Sequence, residues 1–324
     1  MMNYLRALLV LLAAAAPIVA GSGKSHAQNE LKISVGSISG PLSNPIMWNI
    51  LKANKFDAKH GFTLDIRLYP SIVAFYGGFT TGDVDVIMGG PTNLQKLRNE
   101  AVPLKIIATG LKLSDLSIFS RDPSVKNLSD LKGKSLAIDM GGSQYQVVAI
   151  CARGLGMTLN KDVSLVSANF ALSKAQLIAG RVDAAMIAEP LATLTASENP
   201  DLRVIFNGKE GWKELTGREG WETVIAAREE LLKRSPDSVA RLIAAMKDTV
   251  EFIKSNLDDA DRIVVETVKL APGVFKTATL NKKMEFEVNP AWGAQRESIW
   301  ELMELAVSAG FVSKSPDPEI IYAP

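Results

Sequence analysis

Leu31-Lys32-Ile33-Ser34-Val35 alternates apolar and polar side chains, the two-residue period of a strand. The turn cluster Gly36-Ser37-Ile38-Ser39-Gly40-Pro41 follows. A helical pattern then runs from about Pro45 to Lys59 and stops at Gly61. Phe62 to Leu68 alternates again, a second strand. After a short helix, Gly82-Asp83-Val84-Asp85-Val86-Ile87-Met88 turns into a buried strand that ends at Gly89-Gly90-Pro91. A further helix and a strand over Leu104 to Thr109 complete this stretch.

The next stretch repeats the order. Strands are predicted over Lys134 to Ile138 and Val163 to Val166. Helices are predicted over Gln144 to Arg153 and roughly Ser173 to Ala179, with the turn Gly141-Gly142-Ser143 between the first strand and the first helix. Gly180-Arg181-Val182-Asp183-Ala184-Ala185-Met186 then matches the heptad at Gly82: both read Gly-x-Val-Asp-x-x-Met, and Pro91 and Pro190 follow at similar distances. The same heptad at the same place in two strand–helix units implies two similar lobes. Thr223 to Ala227 predicts a strand that returns the chain to the first lobe, and Leu116 to Ser120 is its counterpart. The remainder is helical. Ser235-Pro236 reads as an N-cap with Pro at the first helical position, and Val239, Leu242, Ile243, Met246, Val250 and Ile253 fall on one face. Asp261 to Lys269 and Gln295 to Ala309 are further amphipathic helices.

Alternating strands and helices imply an α/β fold of parallel sheets with right-handed crossovers, whose ligands bind at the carboxyl ends of the strands. Two facing lobes would enclose a cleft between those edges. The expected division is 28–112 for the first part of lobe one, 113–222 for lobe two, and 223–324 for the return strand and the C-terminal helices.

The first residues belong to a different kind of segment. Arg6 precedes an apolar run from Ala7 to Ala20, and Ser25-His26-Ala27 supplies a small-x-small cleavage site. The run is short for a membrane span and is followed by polar residues, so 1–27 reads as a cleaved signal peptide. No cysteine lies near the site, so no lipid anchor is expected and the mature chain is expected to be exported and periplasmic.

Composition then narrows the chemistry. The 324 residues carry 36 Lys+Arg against 35 Asp+Glu, a formal +1. Removing Arg6 and Lys24 leaves 34 − 35 = −1 for the mature chain. A near-neutral chain offers no electrostatic footprint for nucleic acid. One cysteine and two histidines exclude an internal disulfide and a Cys-rich zinc or iron–sulfur site, and leave little for His-based catalysis. No cofactor and no metal are expected. Cys151 falls on an apolar helix face and reads as core, and His60 sits at a helix C-terminus, where the helix dipole favours it.

Several stretches together resemble a known family. They are the exported N-terminus, the turn Ser37 to Pro41, and Gly-Asp-Val-Asp followed by Gly-Gly-Pro-Thr-Asn. Leu128-Ser129-Asp130-Leu131-Lys132-Gly133-Lys134 leading to Gly141-Gly142-Ser143 is the most specific, and Gly180-Arg181-Val182-Asp183-Ala184 leads to Glu189-Pro190. The chain resembles the periplasmic substrate-binding proteins of ABC importers for nitrate, alkanesulfonates, taurine and thiamine-type pyrimidines. The resemblance implies a two-lobed Venus-flytrap (type II) fold with two crossovers and a small ligand in the cleft. Its partners would be a membrane permease and that permease's ATPase, with the binding protein itself a monomer and not an enzyme. The first loop, Asn44-Pro45-Ile46-Met47-Trp48, departs from the family's Pro-aromatic-aliphatic form, which leaves the ligand class open.

The candidate ligand-binding residues follow. Gly141, Gly142, Ser143 and Gln144 open a helix, where free backbone N–H groups favour an anionic group, although Ser143 as a plain N-cap is the simpler reading. Ser37, Ser39 and Gly40 form the equivalent loop of the first lobe. Gly90, Pro91, Thr92 and Asn93 open another helix at a strand's carboxyl end, with Tyr145 as a further contact. Glu189 would accept from an ammonium, amide or ring N–H and would repel a bare anion, or would be ion-paired at the rim. Trp48, Tyr69, Tyr145 and Phe170 are candidates to stack on a flat ligand. Asp85 and Asp183 read as structural. The favoured ligand is sulfonate- or taurine-like, with a pyrimidine or an aromatic carboxylate as alternatives. An enzyme or a receptor-coupled sensor on the same fold are the rival functions.

Overall fold

In the first lobe the order is β1 (Leu31–Ile38), α1 (Ser43–Ala53), α2 (Phe56–Lys59), β2 (Phe62–Tyr69), α3 (Ile72–Thr81), β3 (Val86–Gly89), α4 (Pro91–Asn99) and β4 (Leu104–Lys112). The second lobe holds β5 (Leu116–Ser120), β6 (Ser135–Ile138), α5 (Ser143–Gly154), α6 (Leu159–Asp162), β7 (Ser164–Ser167), α7 (Phe170–Ile178), β8 (Ala184–Ala188), α8 (Leu191–Glu198), β9 (Arg203–Asn207) and α9 (Gly208–Thr216). Then come β10 (Trp221–Arg228), α10 (Glu229–Arg234), α11 (Ser238–Ser255), α12 (Leu257–Val268), α13 (Val274–Leu280) and α14 (Arg296–Ser308). This computed structural model describes residues 31–324, so the predicted signal peptide at 1–27 lies outside the described residues. Among the described residues no helix is long and apolar enough to cross a membrane.

The strands form two five-stranded sheets, ordered β2-β1-β3-β10-β4 and β7-β6-β8-β5-β9. Position for position, the two orders correspond. β1 pairs in parallel with β2 and β3, as β6 does with β7 and β8. The expectation of parallel sheets is corrected at one strand in each. β10 runs antiparallel between β3 and β4, and β5 runs antiparallel between β8 and β9. The cause is the double crossing of the chain. It leaves the first sheet through the 3-10 turn Leu113–Asp115 into β5, and returns through α9 into β10. A strand delivered from the opposite lobe enters from the opposite end. The predicted return strand is therefore present, and so is its counterpart.

The repeated heptad has a matched physical role in each lobe. Asp85 Oδ2 accepts from the backbone N and the hydroxyl of Ser34 at 2.9 and 2.7 Å, and Asp85 N donates back to the Ser34 hydroxyl at 3.0 Å. Asp183 Oδ2 accepts from the N and hydroxyl of Ser135 at 2.7 and 2.6 Å, and its N donates back at 2.9 Å. Each pair clasps the start of one strand to its neighbour, and Ser135 holds the Asp183 carboxyl below its usual range. The structural reading of both aspartates stands.

Three local expectations change. β1 continues through Ser37 to Ile38, because every residue from Leu31 to Ile38 pairs with β2. Gly36 suits this buried stretch, since a Cβ there would lie 2.9 Å from Ile87 Cγ2. The helix expected over 45–59 is two helices, parted where Lys55 adopts a left-handed φ of 56°. Ser235 closes α10 rather than opening α11, which begins at Ser238 after an Asp237 N-cap position. Helices α6, α8, α9, α10 and α13 and strand β9 had no individual sequence prediction.

Each sheet is covered on both faces, as buried sheets in α/β folds require. Ile46, Met47, Ile50 and Leu51 of α1 pack with Leu242, Met246 and Val250 of α11 against one face of the first sheet. Phe75, Phe79 and Leu94 cover the other face. Val147, Val148, Cys151 and Trp212 line one face of the second sheet, with Leu177, Val182 and Ala192 opposite. α14 belongs to both lobes: Ile299 and Met303 enter the first lobe's core, while Leu302 and Ala306 enter the second's.

Candidate functional site

The lobes meet at the carboxyl ends of β1, β3, β6 and β8, where helices begin. Three hydrogen bonds cross the cleft. Gln144 Nε2 of α5 donates to Glu222 Oε1 of β10. Asn93 Nδ2 of α4 donates to the Gly141 carbonyl at 3.2 Å, and Gln146 Nε2 donates to Asn93 Oδ1 at 3.1 Å. Gly90 lies so close to Ser143 that a Cβ there would overlap the serine side chain. Glycine is needed at this point for the close approach rather than for backbone freedom.

Behind these contacts lies an inner cavity of about 40 Å³, room for about three waters. Ser43, Asn44, Phe75, Tyr76, Gly90 and Thr223 line it from the first lobe's elements, and Gly142, Ser143, Gln144 and Phe170 from the second's. An outer mouth of about 170 Å³ shares Ile38, Leu42, Ile72 and Phe170 with it and opens past Ser39, Gly40, Asp139 and Asn169. Asn44 is fixed by donating to the Met88 carbonyl at 2.7 Å. The Tyr76 hydroxyl accepts from Gly90 N at 2.9 Å, and burial pushes its pKa up to about 12.

Three carboxyl groups line the inner cavity: Asp115 at the first crossover, Glu189 at the end of β8 and Glu222 at the start of β10. They are 2%, 1% and 4% exposed. Burial raises all three in pKa, because desolvation disfavours the ionised form. Glu222 is pushed up to about 7, against the opposing hydrogen bond from Gln144. Asp115 is raised well above the usual carboxylate range, first by burial and then by the charges of Glu222 and Glu189. Glu189 is raised by burial, although its Oε2 accepts from Thr193 N at 3.0 Å. Glu189 is thus a buried cavity residue, not an ion-paired rim residue.

The predicted residues divide. Gly90, Gly142, Ser143, Gln144 and Glu189 line the inner cavity, while Ser39 and Gly40 line the outer mouth. Ser37 is fully buried within β1. Pro91 is the first residue of α4 and Thr92 is buried beside it, neither of them lining the inner cavity or the outer mouth. Asn93 and Gly141 close the cleft by bonding each other. Tyr145 packs edge-on against Phe311, 5.6 Å between ring centres, away from the cavity. Of the other aromatic candidates only Phe170 faces the site. Trp48 is fully buried in the core and Tyr69 bonds Asp83. His60 Nε2 lies 2.7 Å from Asp248 Oδ2, far from the cleft's lining, and Cys151 is core, its thiol pushed up to about 12 by burial.

Asp115 and Glu222 are the residues that sequence reasoning missed. Both sit flush against the start of a predicted apolar strand, Leu116 to Ser120 and Thr223 to Ala227, at the two places where the chain changes lobe. A lone acid at each lobe crossing was the available signal. The helix start at Gly141 is also less open to anions than expected. Asp139 accepts from Gly141 N at 3.0 Å and already places a carboxyl group there.

A family model described as NMT1/THI5 like matches residues 57–260, well over half of the chain. The chain belongs to the NMT1/THI5-like family. Curated relatives of this NMT1/THI5-like protein include a provisionally named binding protein of Brucella abortus (strain 2308), 23% identical over 226 residues, 69% of this chain and 68% of that protein. Among solved structures, the periplasmic aliphatic sulphonate binding protein SsuA of Escherichia coli superposes with a TM-score of 0.76 at 16% identity, covering 90% of this chain and 92% of that one. The alkanesulfonate-binding protein SsuA of Xanthomonas axonopodis pv. citri, bound to MOPS, gives 0.73 at 15% identity, covering 87% and 94%. The ligand-binding component of an ABC-type import system from Staphylococcus aureus gives 0.71 at 13% identity, covering 91% and 97%. The fold is that of the periplasmic binding proteins, as the resemblance implied.

Proposed function

We propose that this NMT1/THI5-like protein is the extracytoplasmic solute-binding subunit of an ABC importer. It captures a small organic molecule between its lobes, closes on it, and presents the closed form to a permease whose partner ATPase supplies the energy. The observation that carries this reading is the cavity at the lobe junction, lined from both sheets' carboxyl edges and shut by hydrogen bonds from α4 and α5. A ligand touching both lobes stabilises the closed arrangement over the open one by the contacts it makes only there. Export through the predicted signal peptide, cleaved after Ala27, and residence in the periplasm accord with this role, as do the import-system components among the structural neighbours. Binding without turnover accords with the binding proteins among the relatives and structural neighbours.

The test is to purify the mature protein from a periplasmic fraction, unfold it, and identify any released small molecule by mass spectrometry. One compound at near-equal stoichiometry, which contracts the refolded protein in small-angle scattering, is the expected result. Time-dependent conversion of that compound by the protein would replace the binding role with an enzymatic one.

A further inference from the structure

We propose that the cleft selects an organic cation, with Asp115, Glu189 and Glu222 together accepting the N–H donors of one ammonium- or amidinium-type head. The inference rests on the solute-binding reading and names the class of solute. Three separate elements, a crossover turn and the ends of two strands, bring these carboxyl groups to one cavity of about 40 Å³. Two of their oxygens, Asp115 Oδ1 and Glu222 Oε2, are buried without a hydrogen-bond partner in the protein. Buried polar atoms are nearly always bonded, so two acceptors at the cavity wall point to a donor that arrives with the ligand.

Charge points the same way. No lysine, arginine or histidine lines either the inner cavity or the outer mouth, and the outer mouth adds a fourth acid, Asp139. Buried carboxylates persist when they are paired, and here the protein supplies no cation inside the site. Among the described residues no group of three His, Cys, Asp or Glu side chains is arranged to hold a metal ion. A compact organic head with several N–H donors fits better than a metal. Its remainder would leave past Ile72 and Phe170 into the outer mouth. A sulfonate as the recognised end, the expectation from sequence, meets acids and no basic side chain in either lining. A zwitterion such as taurine would instead be held by its ammonium.

Binding should expel protons. The groups facing the cluster are Tyr76 of α3, Asp139 at the mouth, the carboxyls themselves, and Lys283, whose charge acts on Glu189. Burial favours the neutral, protonated form of each carboxyl, and Glu222 is pushed up to about 7. An arriving cation favours the ionised carboxylates, so affinity rises as pH rises through the range in which Glu222 titrates, about 7.

The test uses three matched probes on mature protein freed of ligand by unfolding and refolding: ethylammonium, taurine and ethanesulfonate. At about 10 mM and about pH 8.5, ethylammonium and taurine should each raise the melting midpoint and ethanesulfonate should not. Near pH 5.5 the response to the two ammonium compounds should fall at least about tenfold in apparent affinity. Glu222→Gln and Asp115→Asn, on different elements, should each weaken ethylammonium binding at least about tenfold, so a folding defect in one does not decide the matter. Ethanesulfonate matching taurine, neither ammonium compound moving the midpoint, or both variants binding ethylammonium like wild type would overturn the proposal. Those outcomes leave the solute-binding reading intact, because that reading is judged on the co-purified compound.

Discussion

The two lobes share a sheet order, a heptad and a serine–aspartate clasp, yet they bring different chemistry to the cleft. After its heptad the first lobe's strand ends in Gly89-Gly90, and bare backbone faces the partner lobe. After the matching heptad the second lobe's strand ends in Ala188-Glu189, and a buried carboxyl group faces the cavity. The first lobe receives its own acid, Glu222, only from the returning strand β10. The scaffold is therefore set by elements common to both halves. The chemistry of the cavity wall is set by what stands just beyond them, at the strand ends and crossovers. Glycine on one side and glutamate on the other also divide the labour: one lets the lobes touch, and the other puts a carboxyl group in the cavity wall.

That contrast can be broken most forcefully at Gly90. Gly90→Val would drive a side chain into Ser143 and hold the lobes apart. The expected result is a loss of about 100-fold or more in ligand affinity with little change in unliganded stability, measured by calorimetry of binding and melting. An unchanged affinity would show that Gly90 and Ser143 need not meet in the bound form.

The next effect concerns the acid that β10 brings. Glu222 titrates near 7 in the folded chain, above its ordinary 4.5, so the folded state holds the extra proton between those values. Its contribution to stability is present at acidic pH and is lost as pH rises through about 7. The melting midpoint of ligand-free protein should fall between about pH 5 and pH 8, and Glu222→Gln should flatten that fall. A midpoint that rises over the same interval would contradict the burial of an unpaired acid.

Smaller effects test the likeness of the lobes. Ser34→Ala and Ser135→Ala each remove the hydroxyl half of a clasp while keeping its backbone N–H, and should cost about 1–3 kcal/mol apiece. Because β5, β10 and α14 tie the lobes together, both variants should melt in one transition. A split transition for either would show that the halves unfold separately. The smallest effect is expected at Lys55, whose left-handed φ of 56° sits between α1 and α2. In the second lobe the left-handed residue between α5 and α6 is Gly156, with φ 71°. Lys55→Gly should stabilise by about 0.5–1 kcal/mol, read from denaturant midpoints.

Much of the scaffold was legible because it is periodic. Alternation marked β1 and β2, an apolar run marked the return strand, and the two heptads exposed the duplication. What sequence left obscure was decided by tertiary contacts. Ser37 reads as a turn residue among glycines and serines, but pairing along all of β2 keeps it in the strand. The break at Lys55 carries no glycine or proline to announce it. Glu189 was visible because it follows a buried strand, at the position where the family resemblance implies a cleft residue. Asp115 and Glu222 were not, since an isolated acid at a strand's edge usually faces water, and only the meeting of two crossovers buries both. Tyr145 stood beside the right loop, but its helical position turns it towards Phe311.

The position of β10 also bears on how the chain reaches its native state. It lies between β3 and β4, so the first sheet lacks an interior strand until Trp221–Arg228 is available. A chain emerging amino-terminus first from a ribosome or a translocation channel would have delivered the whole second lobe before the first could close. Until then β3 and β4 have no partner between them, and long-range pairing of this kind is slow. Such an architecture delays its own completion and keeps the early part of the chain threadable, a useful property under the proposed export of the chain across a membrane.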